Sequence, residues 1–383
     1  MRPRFTFLAC LAWASCAQIA ARADTVQTVE ARLSGKMALR GNAILMDGVA
    51  VPLDTVVSAV RDSGANTFGA PHAVRLRNGE IWRGGILGLE SNRLTVVSDL
   101  FGRRTIGTES VASLDFECST GPGSLRRAGT LYREKGEPIP GTILWIGEDM
   151  LTMDCPLGIL TVPRKGTLCY LFDHAASPST AESAEEIGLI DGSIIRGRLS
   201  LSSNGLEVTH ALLGVLSVPG PAVRYVVRSP PGWMRLGPPA AGDVELRGPA
   251  GPPAAPRLVD YRRDVESRPR ATCCLTAVRM QAVTVAQYRL PERKGRDATF
   301  HAMAAPAPGC RGDVRIVLRV SGVRVYERLL VSTNEPVAVS IALPPGDTLT
   351  LEVEFGERLL YPCGVDWQDP CIVFQNAALD PDT

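Results

Sequence analysis

The sequence predicts an all-β chain in which several small barrels precede a β-sandwich. Three observations carry this. Short segments alternate apolar and polar residues with period two along most of the chain, as half-buried strands do. An Asn-Gly or Asp-Gly pair followed five residues later by a second glycine occurs twice, at Asn78-Gly79 with Gly84 and at Asp191-Gly192 with Gly197. Near the C-terminus, residues 314–320, 336–343 and 348–355 alternate one after another, which is how the strands of a sandwich read.

The first residues bear on compartment. Met1-Arg2-Pro3-Arg4 is basic, residues 5–20 are largely apolar, and Ala21 and Ala23 are small residues placed for cleavage before Asp24. Residues 1–23 are therefore expected to be a signal peptide; the apolar stretch is shorter than the ~20 residues a spanning helix needs. A lipidated Cys16 is the alternative, with Trp13 a poor fit to the aliphatic residue expected there. Removing Arg2, Arg4 and Arg22 turns 41 basic residues into 38 against 40 acids, a net charge of −2. That balance argues against a nucleic-acid partner.

The repeats come next. Residues 70–118 and 186–229 share the turn pair, the later glycine and the strands that follow. Asn-Gly and Asp-Gly tolerate positive φ and make tight hairpins, while Gly84 and Gly197 lie inside strand patterns, where a missing side chain permits a sharp bend. Residues 125–173 follow the same order around Gly141, and 24–66 form a degenerate copy containing Gly41 and Asp47-Gly48. Residues 230–256 hold eight prolines and five glycines and read as a linker or as the entry to the last domain. The sandwich is expected over 257–383.

Two resemblances follow from these residues. Residues 278–373 resemble the NPCBM family of carbohydrate-binding modules, a galactose-binding-like jelly roll. The resemblance rests on the early strand 286–290, on Ser321-Gly322 and Tyr326, on the alternating strands, and on Asp366-Trp367-Gln368-Asp369. The family's early glycine and histidine are absent from 272–279. The resemblance implies Asp366, Trp367 and Asp369 as carbohydrate-binding candidates; packing in the sandwich core is the competing and favoured role for Trp367. The barrels resemble SH3-like folds, and the strand–turn–strand–glycine pattern is similar to the first motif of Sm-like proteins.

Eight cysteines follow residue 23: Cys118, Cys155, Cys169, Cys273, Cys274, Cys310, Cys363 and Cys371. An even number in an exported chain favours disulfides. Cys363 with Cys371, bracketing what reads as a short loop, and Cys155 with Cys169 are the candidate pairs; buried free thiols are the alternative. The adjacent Cys273 and Cys274 would face opposite sides of a strand. No C-x-x-C, H-E-x-x-H, G-x-S-x-G or phosphate-loop pattern occurs, so no metal, cofactor or catalytic residue is expected. Glu185-Glu186 reads as a solvated pair and Arg311-Gly312-Asp313 as a chance turn. The expectation is an exported, secreted or periplasmic bacterial protein without catalysis. Its sandwich would bind a glycan or an extracytoplasmic protein surface, with the barrels as a docking or spacer array. A structural or protein-interaction role without sugar binding is the alternative.

Overall fold

The computed structural model describes residues 24–28, 32–40, 43–61, 72–116, 127–173, 185–203, 205–230, 232–246, 255–261, 274–293, 295–331, 335–358 and 362–375. The signal segment, Cys16, Cys118 and Cys273 lie outside them. Among the described residues the regular structure is strands and short 3-10 turns, all strand pairings are antiparallel, and the chain is all-β.

Four units repeat one order: a first strand, a bent strand, two more strands, a tight turn and a closing strand. The bent strand is continuous in the second and fourth units and broken in the first (Arg32–Gly35, Met37–Arg40) and third (Ile139–Pro140, Thr142–Ile146). In the second unit these are His72–Leu76, Ile81–Glu90, Arg93–Ser98, Gly102–Gly107, the 3-10 turn Thr108–Ser110 and Val111–Asp115. In the fourth they are Glu185–Leu189, Ile194–Ser202, Gly205–His210, Gly214–Pro219, Gly220–Ala222 and Val223–Val227. Gly79 and Gly192 turn the first strand into the second at φ +90 and +86°. The bend comes at the later glycine. Residues 81–84 pair with the first strand and 85–90 with the third; in the fourth unit 194–197 and 198–202 divide in the same way.

The cause is close approach of two backbones. A Cβ on Gly84 would stand 2.2 Å from the Val97 carbonyl oxygen, and one on Gly197 2.5 Å from that of Thr209. Neither carbonyl can step aside without breaking the ladder. We expect Gly84→Ala and Gly197→Ala each to cost at least ~1–3 kcal/mol in a denaturant melt. Gly237→Ala, which meets open space, should be silent. Equal stability of all three variants would refute the bend argument.

The units are not separate beads. The closing strand Val56–Val60 of the first unit pairs with Val223–Val227 of the fourth, Ala59 opposite Val226. The bent strand of the fourth meets that of the second at Ile194 opposite Ile81. The second and third units join twice: Val111–Asp115 pairs with Thr167–Leu171, and Leu89 sits opposite Ile146. The spatial order is therefore first, fourth, second, third. Each junction joins the same segment of both units, so neighbours are related by local twofold pairing. One apolar core runs through all four, from Val26 and Ile44 through Trp82, Leu114 and Tyr170 to Val226. The barrels were expected as a docking or spacer array; strand pairing across each junction and a common core make the four units one body.

The C-terminal part is a two-sheet sandwich. One sheet runs Arg257–Asp260, Thr276–Gln281, Gly364–Gln375, Asp297–Pro306, Val337–Leu343, with Trp233–Arg235 also against Gly364–Gln375. The other runs Val244–Leu246, Thr284–Arg289, Thr348–Phe355, Val314–Val320, Val323–Leu330. Val278, Phe300, Leu318, Leu351 and Trp367 fill the space between them. The Pro- and Gly-rich stretch contributes a strand to each sheet, so it enters the domain and is not a free linker. Residues 364–370, read from sequence as a loop, belong to a strand of 12 residues. Leu275 of the sandwich packs with Val60, Tyr225 and Val227 of the first and fourth units.

Candidate functional site

The Asp366-Trp367-Asp369 segment lies inside the sandwich. Trp367 has 0% exposure and meets Phe300 edge to face, with ring centroids 6.0 Å apart. Asp366 is equally buried; Arg279 donates to it through Nε and Nη2, both at 2.7 Å, and the Tyr261 hydroxyl donates at 2.6 Å. Burial, then the Asp366 charge, pushes the Tyr261 hydroxyl pKa well above its ordinary value. Asp369, at φ +44°, accepts from the backbone N–H of Leu275 and Thr276 and from the Thr276 hydroxyl. These side chains hold the sandwich together. Neither Asp366 nor Trp367 presents a face on which a sugar ring could stack. Asp313 of the Arg-Gly-Asp turn is buried too, gripped by Arg358 at 2.7 Å.

The cysteine expectations also change. Neither expected bridge is formed in this structure, where Cys155, Cys310, Cys363 and Cys371 stand as thiols. Cys363 immediately precedes, and Cys371 lies far along, one extended strand. Eight residues of strand span roughly 25 Å, several times a disulfide's reach. The expected pairing assumed a loop that would bring them together. Cys155 ends the strand Met150–Cys155, its Sγ donating to the Gly158 carbonyl at 3.0 Å, while Cys169 is buried in Thr167–Leu171.

Exposed apolar side chains concentrate elsewhere, on the third unit. Its bent strand, Thr142–Ile146, slips register between Ile143 and Trp145. The bulge leaves Leu144 unpaired and turns two consecutive residues outward. Leu144 is 44% and Trp145 43% exposed; on the adjoining hairpin Ile159 is 75% and Leu157 95% exposed. Trp145 stands opposite Thr152, which stands opposite Thr161, and the two threonine hydroxyls share a hydrogen bond of 3.2 Å. Asp154 stands opposite Ile159. The indole lies over Gly147, where a Cβ would come within 2.1 Å of the ring.

The turn beyond Gly147 also borders a cleft of about 230 Å³ between the second and third units. His72 and Phe116 form one wall; Glu148, Asp149, Arg164 and Lys165 form the other. The Arg164 guanidinium lies 5.5 Å from the centre of the Phe116 ring, 3.2 Å from His72 Nε2, and donates to the Gly147 carbonyl. Burial first, then the Arg164 charge, lowers His72 to about 4, so its imidazole is neutral at pH 7. Burial likewise pulls Arg164 below its usual value. The Thr167 hydroxyl is occupied by the Pro163 carbonyl at 3.2 Å. The cleft thus sets guanidinium and ammonium donors beside two carboxylates and an imidazole.

A second buried polar centre joins the second and fourth units. Glu80 is 1% and His210 4% exposed, with His210 Nε2 2.9 Å from the Glu80 carboxylate. Trp82 Nε1 donates to the same carboxylate at 2.8 Å and the Arg196 backbone N–H at 3.3 Å. Sequence reasoning missed Glu80. The available signal was a carboxylate between the hairpin glycine and the apolar Ile81-Trp82, a place where strands bury both faces. Among the described residues, no group of three or more His, Cys, Asp or Glu side chains is gathered to hold a metal. No described helix is long and apolar enough to cross a membrane.

No protein-family model matches the sequence, and no curated protein does. Among solved structures, the chain is similar to the CBM51-2 and INT domains of Clostridium perfringens ZmpB, at 14% identity and TM-score 0.24, over 45% of this chain and 36% of that one. It is similar to the ZmpB M60 catalytic domain with its CBM51-1 and CBM51-2 domains, at 9% identity and TM-score 0.29, over 91% and 47%. It is similar also to the tandem CBM51 modules of Sp3GH98, a family 98 glycoside hydrolase from Streptococcus pneumoniae, at 10% and 0.25, over 88% and 96%. The chain thus spans less than half the length of the two ZmpB structures. At these values the likenesses assign no ligand.

Proposed function

We propose that this chain is a non-catalytic binding protein of an extracytoplasmic compartment that docks on a protein surface through the outward face of its third unit. In this reading the four units are SH3-like barrels fused into one base, and the sandwich is a galactose-binding-like jelly roll. The supporting observation is the exposure of Leu144, Trp145, Leu157 and Ile159 together on one small sheet and its hairpin. Apolar side chains clustered in this way mark interaction surfaces, and aromatic residues anchor them. Export is supported by the basic–apolar–small pattern of residues 1–23.

A glycan is the second reading, favoured by one feature. The half-exposed Trp145, whose indole covers Gly147, stands opposite Thr152 in register, with Thr161 next in the ladder, an apolar ring near hydroxyl groups of the kind that takes a sugar.

The test is binding of the mature chain to a glycan array and to extracytoplasmic proteins of its own cell, each with wild type and Trp145→Ala. We expect Trp145→Ala to stay within ~0.5 kcal/mol of wild-type stability and to lose the protein partner. Loss of glycan binding instead would establish the second reading. Binding left intact in the variant would remove the third-unit face from consideration and return attention to the sandwich.

A further inference from the structure

We propose that Cys310 and Cys363 form a disulfide that locks one end of the sandwich. The geometry begins with the adjoining strands Asp297–Pro306 and Gly364–Gln375, which pair up to Pro306 opposite Val365. The pairing runs one step further, where the Ala307 N–H donates to the Gly364 carbonyl at 2.9 Å. Residues 307–310 then make a β-turn closed by the Cys310 N–H on the Ala307 carbonyl, with Gly309 at φ +79°. Pro308 before that glycine is the sequence of a type II turn. After the turn the Arg311 N–H donates to the Pro362 carbonyl at 3.1 Å.

With Arg311 opposite Pro362, the preceding residue, Cys310, falls opposite Cys363. That is the non-hydrogen-bonded position of an antiparallel pair, where Cα atoms approach to ~4.5 Å and side chains are closest. This separation is within the range a disulfide spans. Both side chains pack on the same apolar core, Cys363 within it and Cys310 against its rim. Burial, with Cys310 as the neighbouring charge, pushes the Cys363 thiol up to about 11. Cys310 is the half-exposed partner, so it is the sulfur an external reagent reaches first.

The oxidant is a disulfide from outside the chain, of the glutathione or oxidoreductase type. The Cys310 thiolate attacks one of its sulfurs and releases one external thiolate, leaving a mixed disulfide. The deprotonated Cys363 sulfur then displaces the second. Two protein thiols become one disulfide while one external disulfide becomes two thiols. The bond rests on the exported reading only for its oxidising surroundings; the pairing itself stands on the turn and register.

The test therefore uses purified full-length chain exposed to glutathione disulfide, which is independent of compartment. Free thiols are alkylated, the chain is digested, and linked peptides are mapped by mass spectrometry. The expected product joins Cys310 to Cys363. Alkylation of both, or a link from either to another cysteine, would overturn the proposal. Reduction should lower the melting temperature of the oxidised chain by about 5–15 °C and leave that of Cys310→Ser unmoved; an equal response in both would remove the locking role. N-terminal sequencing of protein recovered from its host tests export separately.

Discussion

Trp367→Ala is expected to unfold much of the sandwich's stability, at a cost of ~3–5 kcal/mol. The side chain is wholly buried and braced by Phe300, and its strand has partners on both edges, Thr276–Gln281 and Asp297–Pro306. The cavity left by the indole cannot collapse while those ladders hold, so the loss exceeds the transfer energy alone. Trp367→Phe should recover most of it, because the indole Nε1 makes no hydrogen bond to the described residues and the change sacrifices only volume. A denaturant melt of the full chain, followed by the sandwich's near-ultraviolet signal, reads both. A Trp367→Ala midpoint equal to wild type would show that the ring is not a packing element and would reopen its candidacy for sugar.

Glu80→Ala should cost a similar ~3–5 kcal/mol and act on the junction between the second and fourth units. Removing a buried acceptor leaves each of its donors unsatisfied, at ~1–3 kcal/mol apiece. Here the Trp82 N–H, the His210 ring and the Arg196 N–H all lose their acceptor at once. Glu80→Gln keeps the shape and one acceptor oxygen and should lose less. Amide exchange separates this from general destabilisation: protection should fall first around Ile81 and Ile194, the one residue pair through which the two bent strands bond. Uniform loss of protection across the chain would refute the junction role.

The elements of the fold were legible because they depend on local chemistry. Period-two alternation marked the strands, and Gly79, Gly84, Gly192 and Gly197 marked turns and bends where a Cβ is excluded or φ is positive. What escaped was everything set by distant partners. The Asp366-Trp367-Asp369 segment reads as a polar loop because two aspartates and a glutamine interrupt the apolar run. It is a central strand because Arg279 and Tyr261 satisfy Asp366 from elsewhere in the chain. The same gap misdirected the cysteine pairing, since the neighbour of Cys363 depends on a turn at Pro308-Gly309 and not on distance along the sequence. The exposed platform was hidden for another reason. Leu144-Trp145-Ile146 has the composition of a core strand, and only a bulge turns its first two residues outward.

The spatial order of the units bears on how the chain comes to be folded. Val56–Val60 pairs on one edge with Asp24–Thr28 of its own unit, but its other edge is met by Val223–Val227, so two complete units must be synthesised before that edge is covered. Until then an open, largely apolar strand edge is a template for pairing with other chains, and contacts so distant in sequence form slowly. A ribosome-bound chain ending after the third unit presents that edge, and it presents the Ile81 edge as well, since its partner at Ile194 is also missing. The first unit thus depends on the fourth for its solubility. A chain cut after any of the first three units is therefore expected to aggregate, which light scattering of the truncated chains would check.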